Sequence, residues 1–476
     1  MIATSPIKTQ VNTAIIGAGP TGLGAAWRMM QKLKAIGSGS SAALPFLLMD
    51  ESETPGGHAA SVVTPEGFTF DYGGHVLFSH PEYTEFAKVL NSAVLDWYSS
   101  TPARGVWIAN QIVPTPVQRN IHRLPFQTMV SCLWGLARRK PDTENGQEPT
   151  LQQYLEKQFG KELTRVVIGP LNSKMWAHQP SQLGSRWSSH RSGSKDKNIP
   201  DVSVKSILRN WLLRRDDPGW NARTLVRYPL EGGTGSIWSQ LYKQLPEKFC
   251  RLQSKVVAIN TERRELTLSN GSTVGYQRLI TSIPLDILLK LLTDRPDLQK
   301  RVADFSVAKV QLFGFGIEGK LPEQLRGIHA VNVPDPQLPF WRVNIPSSFS
   351  PENVPDAENT WSILCESSIP ADSDKLFDRD QIEGALKSIG FLVSNAKIVS
   401  FFSVTLGHGY PVPFAGRDRL LNEIQPQLEA MNIFSRGRFG GWRYEVSNQD
   451  HAFMQGVEVV DRLVEGTPEY TYRKTW

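Results

Sequence analysis

A glycine-rich motif near the N-terminus offers the clearest chemistry in the sequence. Gly17, Gly19 and Gly22 form a G-x-G-x-x-G motif, which follows the short apolar run Val11–Ile16 and opens a helical pattern. Glycines at these positions allow a tight turn and let the backbone approach a pyrophosphate at the helix N-terminus. Asp50 ends the next predicted strand, where a carboxylate accepts hydrogen bonds from ribose hydroxyls. The strand, the helix and the acid together indicate a dinucleotide site.

A second glycine pair, Gly56-Gly57, follows the strand that ends at Asp50. It resembles the extended fingerprint of the large FAD-binding family that includes amine oxidases, phytoene desaturases and UDP-galactopyranose mutases. NAD dehydrogenases do not usually carry it. Another glycine-rich stretch, Glu231–Gly235, also suits that family, although glycines that only form turns would account for the same residues. We expect FAD as the cofactor.

Four further segments narrow the resemblance to the eukaryotic-type UDP-galactopyranose mutases. Residues Tyr72–His80 resemble the histidine loop of that family, and Ser435–His451 resemble its C-terminal block. Between them lie Asn172–Ala177 and His408–Pro411, which match two more segments of the family. The segments occur in the family's order over nearly the whole chain, which argues against a chance match.

The resemblance implies an isomerase. In that family a pyranose–furanose mutase acts on UDP-galactopyranose, giving galactofuranose, through an adduct between the sugar and N5 of reduced FAD. The substrate would be UDP-galactopyranose or a related nucleotide-diphosphate sugar, FAD would be active when reduced, and NADPH or NADH would reduce it. Two other interpretations stay open. One is a FAD-dependent oxidoreductase, or another flavin N5 reaction, with a different substrate; the other is a flavoprotein without catalysis.

The resemblance also carries roles onto single residues. His75, Arg191 and Arg342 would be catalytic, because fixed arginines neutralise a leaving diphosphate. Tyr410 and Tyr444 would hydrogen-bond the phosphates. The remaining substrate contacts would come from Phe78, Gln118, Asn172 and Trp176. The cofactor contacts would come from Gly17, Gly19, Thr21, Gly22, Asp50, Gly56, Gly57, Gly74, His75, Val256, Arg438 and Asn448.

The sequence departs from the family where the uracil is held. Thr115-Pro116-Val117-Gln118 stands in place of a Tyr-Pro-Phe-Gln segment, so both rings are lost and only the glutamine is kept. Ala330-Val331-Asn332 stands in place of a Trp-x-Tyr segment. Stacking of a base on an aromatic ring contributes roughly 1–3 kcal/mol. We therefore expect weaker, less uracil-selective binding and an altered choice of substrate.

The elements that must position these residues predict an α/β fold. A Rossmann-type FAD-binding domain with a parallel sheet would be joined by an inserted helical domain and a mostly antiparallel β-sheet domain. The turn Asn270-Gly271 indicates a hairpin, and Val457–Val464 a helix. The predicted domains are residues 1–95, 228–300 and 430–476 for FAD binding, 120–225 for the helical part, and 96–119 with 301–429 for the substrate sheet.

Composition limits the class of protein. A chain of 476 residues exceeds one compact core, so two or three domains are expected. The net charge of +6 comes from scattered basic residues, which favours a phosphorylated small molecule over nucleic acid as the partner, although a basic solvated surface fits equally well.

Three cysteines without a C-x-x-C motif argue against disulfides and zinc. With neither a secretory signal nor an apolar run of about 20 residues, we expect a cytoplasmic enzyme without a metal or a membrane partner. Its oligomeric state stays open.

Overall fold

The structure, a computed structural model, describes residues 8–36, 44–78, 80–93, 95–139, 148–189, 202–217 and 225–473. In these ranges the strands are β1 (Lys8–Ile16), β2 (Leu44–Met49), β3 (Ser61–Val63), β4 (Thr69–Asp71), β5 (Trp97–Ser100), β6 (Ala103–Ile108), β7 (Gln111–Pro114), β8 (Val226–Pro229), β9 (Cys250–Arg251), β10 (Val256–Asn260), β11 (Glu265–Leu268), β12 (Thr273–Thr281), β13 (Val307–Glu318), β14 (Ile328–Asn332), β15 (Arg342–Asn344), β16 (Thr360–Pro370), β17 (Lys397–Pro411) and β18 (Ile433–Ser435). The helices in the same ranges are α1 (Pro20–Ile36), α2 (Thr84–Ser92), α3 (Phe126–Ala137), α4 (Leu151–Leu163), α5 (Gly169–Trp176), α6 (Arg186–Ser189), α7 (Val204–Leu212), α8 (Gly235–Lys243), α9 (Leu285–Leu291), α10 (Pro296–Gln299), α11 (Pro346–Phe349), α12 (Arg379–Ser388), α13 (Arg417–Ala430), α14 (Gly437–Gly440) and α15 (Gln449–Glu465).

The first sheet has the strand order β10-β11-β12-β1-β2-β9, and β18 pairs with β12. Strand β1 runs parallel to both β2 and β12, so β1, α1 and β2 form the predicted β-α-β unit. Strands β10 and β11 extend the sheet in antiparallel fashion, and Asn270-Gly271 connects β11 to β12 as predicted. The parallel centre confirms the predicted Rossmann-type domain.

The centre of this sheet is buried on both faces, as its apolar sequence requires. Ile15 packs on one side with α1 and α15, where the rings of Trp27 and Phe453 lie 5.6 Å apart. Ala14 and Ile16 pack on the other side with α9 and α13. Helix α15, whose second half was predicted from the sequence, thereby brings the C-terminal block to the glycine motif.

The second sheet has the order β17-β13-β16-β15-β14-β6-β7 and is antiparallel except between β14 and β6. Phe315 and Ile363 face one core, which α12 covers. Leu312 and Leu364 face another core, which they share with helices α3 and α4. The predicted antiparallel sheet is confirmed, and its inner face is joined to the helical part of the chain.

Helices α3 to α7 fall in the region that the sequence predicted to be helical. Leu136 of α3 and Leu155 of α4 belong to the core that contains Leu312 of the second sheet. The domain boundaries themselves remain predictions. Within the described ranges, we find no helix that combines the length and the apolar character needed to cross a membrane.

Candidate active site

The glycine loop, residues 17–22, makes a tight turn between β1 and α1. Gly17 has a φ of 101°, and its N–H donates to the carbonyl of Met49 at the end of β2 (2.8 Å). The N–H of Gly56 donates to the carbonyl of Ala18 (2.8 Å). The structure thus brings the two predicted glycine segments together at the N-terminus of α1.

Asp50 lies beside this loop and supports it. Its Oδ2 accepts a hydrogen bond from the N–H of Ala18 (2.6 Å), and its Oδ1 accepts one from the N–H of Ser52 (2.8 Å). The carbonyl of Asp50 accepts from the N–H of Ser254 (2.7 Å), two residues before Val256 on β10. Asp50 therefore borders the glycine loop, Val256 begins the strand that follows this contact, and the contacts of both residues with a cofactor stay predictions.

The histidine loop, residues 72–80, follows β4 and begins directly after a buried carboxylate, Asp71. Asp71 accepts hydrogen bonds from the hydroxyl of Tyr228 (2.9 Å) and from the N–H of Thr234 (3.0 Å). The Thr234 hydroxyl lies 3.4 Å from Nδ1 of His75. Asp71 thereby holds the glycine-rich stretch Glu231–Gly235 against the start of the histidine loop. At the far end of the loop, His80 Nδ1 lies 2.6 Å from a carboxylate oxygen of Asp450 on α15.

His75 is held as a neutral imidazole. Burial lowers its pKa to about 3, and the positive charges of Arg342, Arg438 and His58 act in the same direction. A Cβ built on Gly73 would lie 3.8 Å from Nε2 of His75 and 4.0 Å from both carboxylate oxygens of Glu366, the partner of Arg342, so the predicted residues His75 and Arg342 lie in the same part of the site. At neutral pH the ring offers one N–H donor and one acceptor, without a charge.

Arg342 makes a two-point ion pair with Glu366, a residue that the sequence analysis missed. Its Nε and Nη2 each lie 2.8 Å from a Glu366 carboxylate oxygen. Its guanidinium also lies 4.4 Å from the ring centre of Trp341. The Glu366 side chain is 1 % exposed, whereas that of Arg342 is 24 % exposed, so the arginine faces outward from a buried anion. Glu366 is the single charged residue between positions 360 and 370, and this is the sequence feature that could have indicated its role.

The predicted tyrosines lie in one aromatic cluster. The Trp176 ring is fully buried, and its centre lies 4.8 Å from that of Tyr444 and 5.6 Å from that of Tyr410. The Arg438 guanidinium lies 5.3 Å from the Tyr410 ring and 5.2 Å from the Tyr444 ring. Burial and the nearby Glu366 raise the pKa of Tyr410, so its phenol stays protonated. The cluster therefore supplies hydroxyl donors beside two arginines.

Helix α5 carries Asn172 and Trp176 on one side and holds the segment that leads to Arg342. Asn172 Oδ1 accepts from the indole N–H of Trp176 (3.3 Å). Lys174 Nζ donates to the carbonyls of Val333 (2.9 Å) and Phe340 (2.6 Å), and also to that of Asp335. Burial lowers the pKa of Lys174 to about 7. Lys174, which the sequence analysis did not single out, thus ties α5 to the loop between β14 and β15.

The C-terminal block meets the glycine loop through α14 and α15. Arg438 Nη1 donates to the hydroxyl of Ser447 (2.9 Å), and Asn448 is the N-cap residue of α15. A Cβ built on Gly437 would lie 2.3 Å from Oγ1 of Thr21, which is itself buried. Arg438 therefore lies between the glycine loop and the aromatic cluster.

The two departures from the family lie on or directly after the two strands that flank β6: residues 330–332 on β14, and residues 115–117 just after β7. Gly105 of β6 pairs with Pro114 of β7 on one side and with Val331 of β14 on the other. Val117 is 6 % exposed and packs in the core shared with the helices, whereas Gln118 is partly exposed. The substituted segments thus lie at the same region of the second sheet, but Val117 itself points into the core.

The roles of two further predicted substrate residues, Phe78 and Arg191, stay predictions. Phe78, in the histidine loop, is 42 % exposed. Arg191 lies outside the described residues, so its role stays a prediction.

Comparisons with known proteins agree with this architecture. A model of the NAD(P)-binding Rossmann-like domain family matches residues 15–93. A crystal structure of a reduced UDP-galactopyranose mutase superposes with a TM-score of 0.88 at 33 % identity, covering 99 % of this chain and 96 % of that chain. A putative protoporphyrinogen oxidase from Exiguobacterium sp. 255-15 has a TM-score of 0.69 at 15 % identity, covering 96 % of this chain and 99 % of that one. A cyclohexylamine oxidase from Brevibacterium oxydans has a TM-score of 0.64 at 13 % identity, with the same two coverages.

The two oxidases share only the fold with this chain, because their identities are low. The mutase is similar in sequence as well, over nearly the full length of both chains. The chain belongs to the UDP-galactopyranose mutase family.

Proposed function

We propose that this protein is a FAD-dependent pyranose–furanose mutase that acts on a nucleotide-diphosphate sugar. The observation that carries the proposal is the cluster of Arg438, Tyr410 and Tyr444, together with Arg342, which Glu366 holds beside the histidine loop. Two cations and two phenols suit a diphosphate that leaves and returns. The same cluster would have no task in a flavoprotein that only binds its cofactor.

The residues present fit FAD. A Cβ built on Gly19 would have the Gly56 carbonyl at 3.7 Å as its nearest neighbour among the described residues outside its adjacent positions. The space above the N-terminus of α1 is therefore open to a pyrophosphate. Asp50 lies at one end of this space, and Arg438, Asn448 and His75 would border the ring system at the other. FAD in its reduced form would supply a nucleophilic nitrogen for the anomeric carbon.

The chain's own residues have distinct tasks in this proposal. Arg342 would bind the diphosphate and stabilise the charge that develops on it as it leaves. Tyr410 and Tyr444 would donate hydrogen bonds to the phosphate oxygens. Trp176, packed edge-on against both tyrosines, would hold their rings in place and exclude water. Arg191, as the second diphosphate arginine, remains part of the proposal.

We expect activity only after the flavin has been reduced. The reason is that a nucleophilic nitrogen is available in reduced FAD and not in oxidised FAD. The measurement is furanose formation from UDP-galactopyranose and related sugar nucleotides, with the enzyme oxidised or reduced by dithionite, NADPH or NADH. Full activity of the oxidised enzyme in air would overturn the proposed function.

An oxidoreductase with a different substrate is the second candidate, because the family's uracil-binding rings are replaced at positions 115, 117, 330 and 332. The same incubations separate the two. A mutase forms furanose without consuming oxygen or an acceptor, whereas an oxidase consumes one of them steadily.

Thr115→Tyr should tighten UDP binding, whereas Val117→Phe should not. Position 115 is partly exposed although the threonine hydroxyl is buried, and a tyrosine whose ring turns to the exposed side would stack on the base, which contributes roughly 1–3 kcal/mol. Val117 is buried, so a larger ring there would overpack the core and cost about 1–3 kcal/mol of folding free energy. The measurements are dissociation constants for UDP, GDP, dTDP and a sugar phosphate, together with thermal unfolding. Tight, uracil-selective binding by the unchanged protein would show that the lost rings do not matter.

A further inference from the structure

One buried carboxylate joins the histidine loop to the diphosphate arginine. Glu366 Oε1 accepts hydrogen bonds from the N–H of Gly74 (2.8 Å) and from Nδ2 of Asn344 (2.7 Å). The same carboxylate makes the two-point ion pair with Arg342. Gly74 belongs to the histidine loop, and Arg342 and Asn344 belong to β15. A single side chain therefore sets the distance between these two parts of the site.

The packing of Gly74 against β15 leaves the histidine loop little freedom to move at this residue. A Cβ built on Gly74 would lie 2.1 Å from Oδ1 of Asn344, so the backbone of the loop is packed directly on β15. Gly73 has a φ of 122°, which turns the chain so that the Gly74 N–H points at Glu366. His75 follows immediately. A displacement of Glu366 would therefore be passed to His75 through one residue.

The guanidinium of Arg342 has two edges, and Glu366 occupies one of them. The pair uses Nε and Nη2, which leaves the edge formed by Nη1 and Nη2 directed away from Glu366. A phosphate is recognised by an arginine edge of this kind. A phosphate on the outer edge would immobilise Arg342 and, through the ion pair, Glu366.

We propose that Glu366 is a positioning residue that links diphosphate binding at Arg342 to the position of the histidine loop. This proposal rests on the proposed function, because it requires a diphosphate at Arg342. Binding on the outer edge stabilises the Glu366–Gly74 hydrogen bond and with it the position of His75. By linkage, a loop held in that position also favours the diphosphate.

Hydrogen exchange of the loop tests this link. The FAD-loaded, oxidised protein is labelled with and without inorganic pyrophosphate or UDP, and exchange is followed by mass spectrometry in a peptide that covers residues 72–78. In the unchanged protein, either ligand should slow the exchange of the Gly74 amide by about fivefold or more, the lower range of typical couplings. In Glu366→Gln this ratio should fall to near one, because the amide is uncharged and presents an NH2 donor to Nη2 of Arg342, so the two-point ion pair is lost although its oxygen can still accept from Gly74.

Glu366→Asp serves as a second variant in case Glu366→Gln does not fold. This variant keeps the charge, but its side chain is one methylene too short to reach Gly74 and Arg342 together. It should therefore bind pyrophosphate, and the ligand should no longer slow exchange of the Gly74 amide. The matched control is Glu318→Gln on β13, the strand next to β16. This substitution removes an exposed carboxylate that pairs with Lys397 of β17, and the variant should behave as the unchanged protein.

The outcomes separate a coupling role from a purely structural one. If Glu366 only supported the fold, exchange in the Glu366 variants would be faster with and without ligand, and the ratio would be retained; that result overturns the proposal. An unchanged protein that binds UDP and turns over sugar nucleotides without a response in the loop rejects the coupling alone. An unchanged protein that binds neither pyrophosphate nor UDP rejects the proposed function and the coupling together.

Discussion

Gly19→Val should give a folded protein that no longer retains FAD. The structure leaves room for a side chain at this position, since the Gly56 carbonyl at 3.7 Å is the nearest neighbour of a Cβ there among the described residues. The same room is what a pyrophosphate would occupy. The valine side chain would therefore displace the cofactor without disturbing the protein around it. The measurement is the ratio of flavin to protein after gel filtration, together with far-UV circular dichroism and thermal unfolding of the apoprotein.

Two further glycines serve as controls for this substitution. Gly384→Val places the same side chain on the surface helix α12, where a Cβ would meet nothing within 4 Å in the described part of the chain, and it should retain FAD. Gly22→Ala should damage the fold itself, because a Cβ there would lie 1.7 Å from the Gly17 carbonyl. A Gly19→Val protein that kept its full flavin content would show that the glycine loop does not hold the pyrophosphate.

The parts of the fold that the sequence predicted are those whose evidence is local. The strand-turn-helix at residues 11–34 carries its own glycines, and the hairpin at Asn270-Gly271 carries its own turn residues. Helix α15 was predicted only from Val457, but it begins at Gln449. Its first two turns are buried on all sides, including Asp450 and His451, so they show no apolar stripe from which a helix could be recognised.

Site residues could be predicted where they belong to a sequence motif. They could not be predicted where their role depends on a contact with a residue that is distant in the sequence. His75 and Arg342 stand in recognisable segments, and the structure brings both of them beside Glu366. The roles of Glu366 and Lys174 depend on tertiary contacts. Glu366 pairs with Arg342, 24 positions away, and Lys174 donates to carbonyls more than 150 positions away. No local spacing relates such partners, so only the assembled sheet and helix reveal them.

Arg342→Ala should weaken binding of any diphosphate ligand and slow turnover. Loss of a charged hydrogen bond costs roughly 1.5–3 kcal/mol, or about 10- to 150-fold in Kd. The value of kcat should fall as well, because the leaving diphosphate carries more charge in the transition state than in the bound substrate. Calorimetric titration with UDP and pyrophosphate measures the first effect, and furanose formation by the reduced enzyme measures the second.

The same substitution leaves Glu366 buried without its cation, so a loss of stability must be separated from a loss of binding. Breaking a buried ion pair costs about 3–5 kcal/mol, and the lower end applies here because the Arg342 side chain is 24 % exposed. The double variant Arg342→Ala/Glu366→Ala removes the unpaired charge and should recover most of that stability without recovering UDP binding. Arg326→Ala, which removes an exposed arginine paired with Glu323, should change neither quantity. If the double variant bound UDP as tightly as the unchanged protein, Arg342 would not be a diphosphate ligand, and the diphosphate would have to be held by other residues.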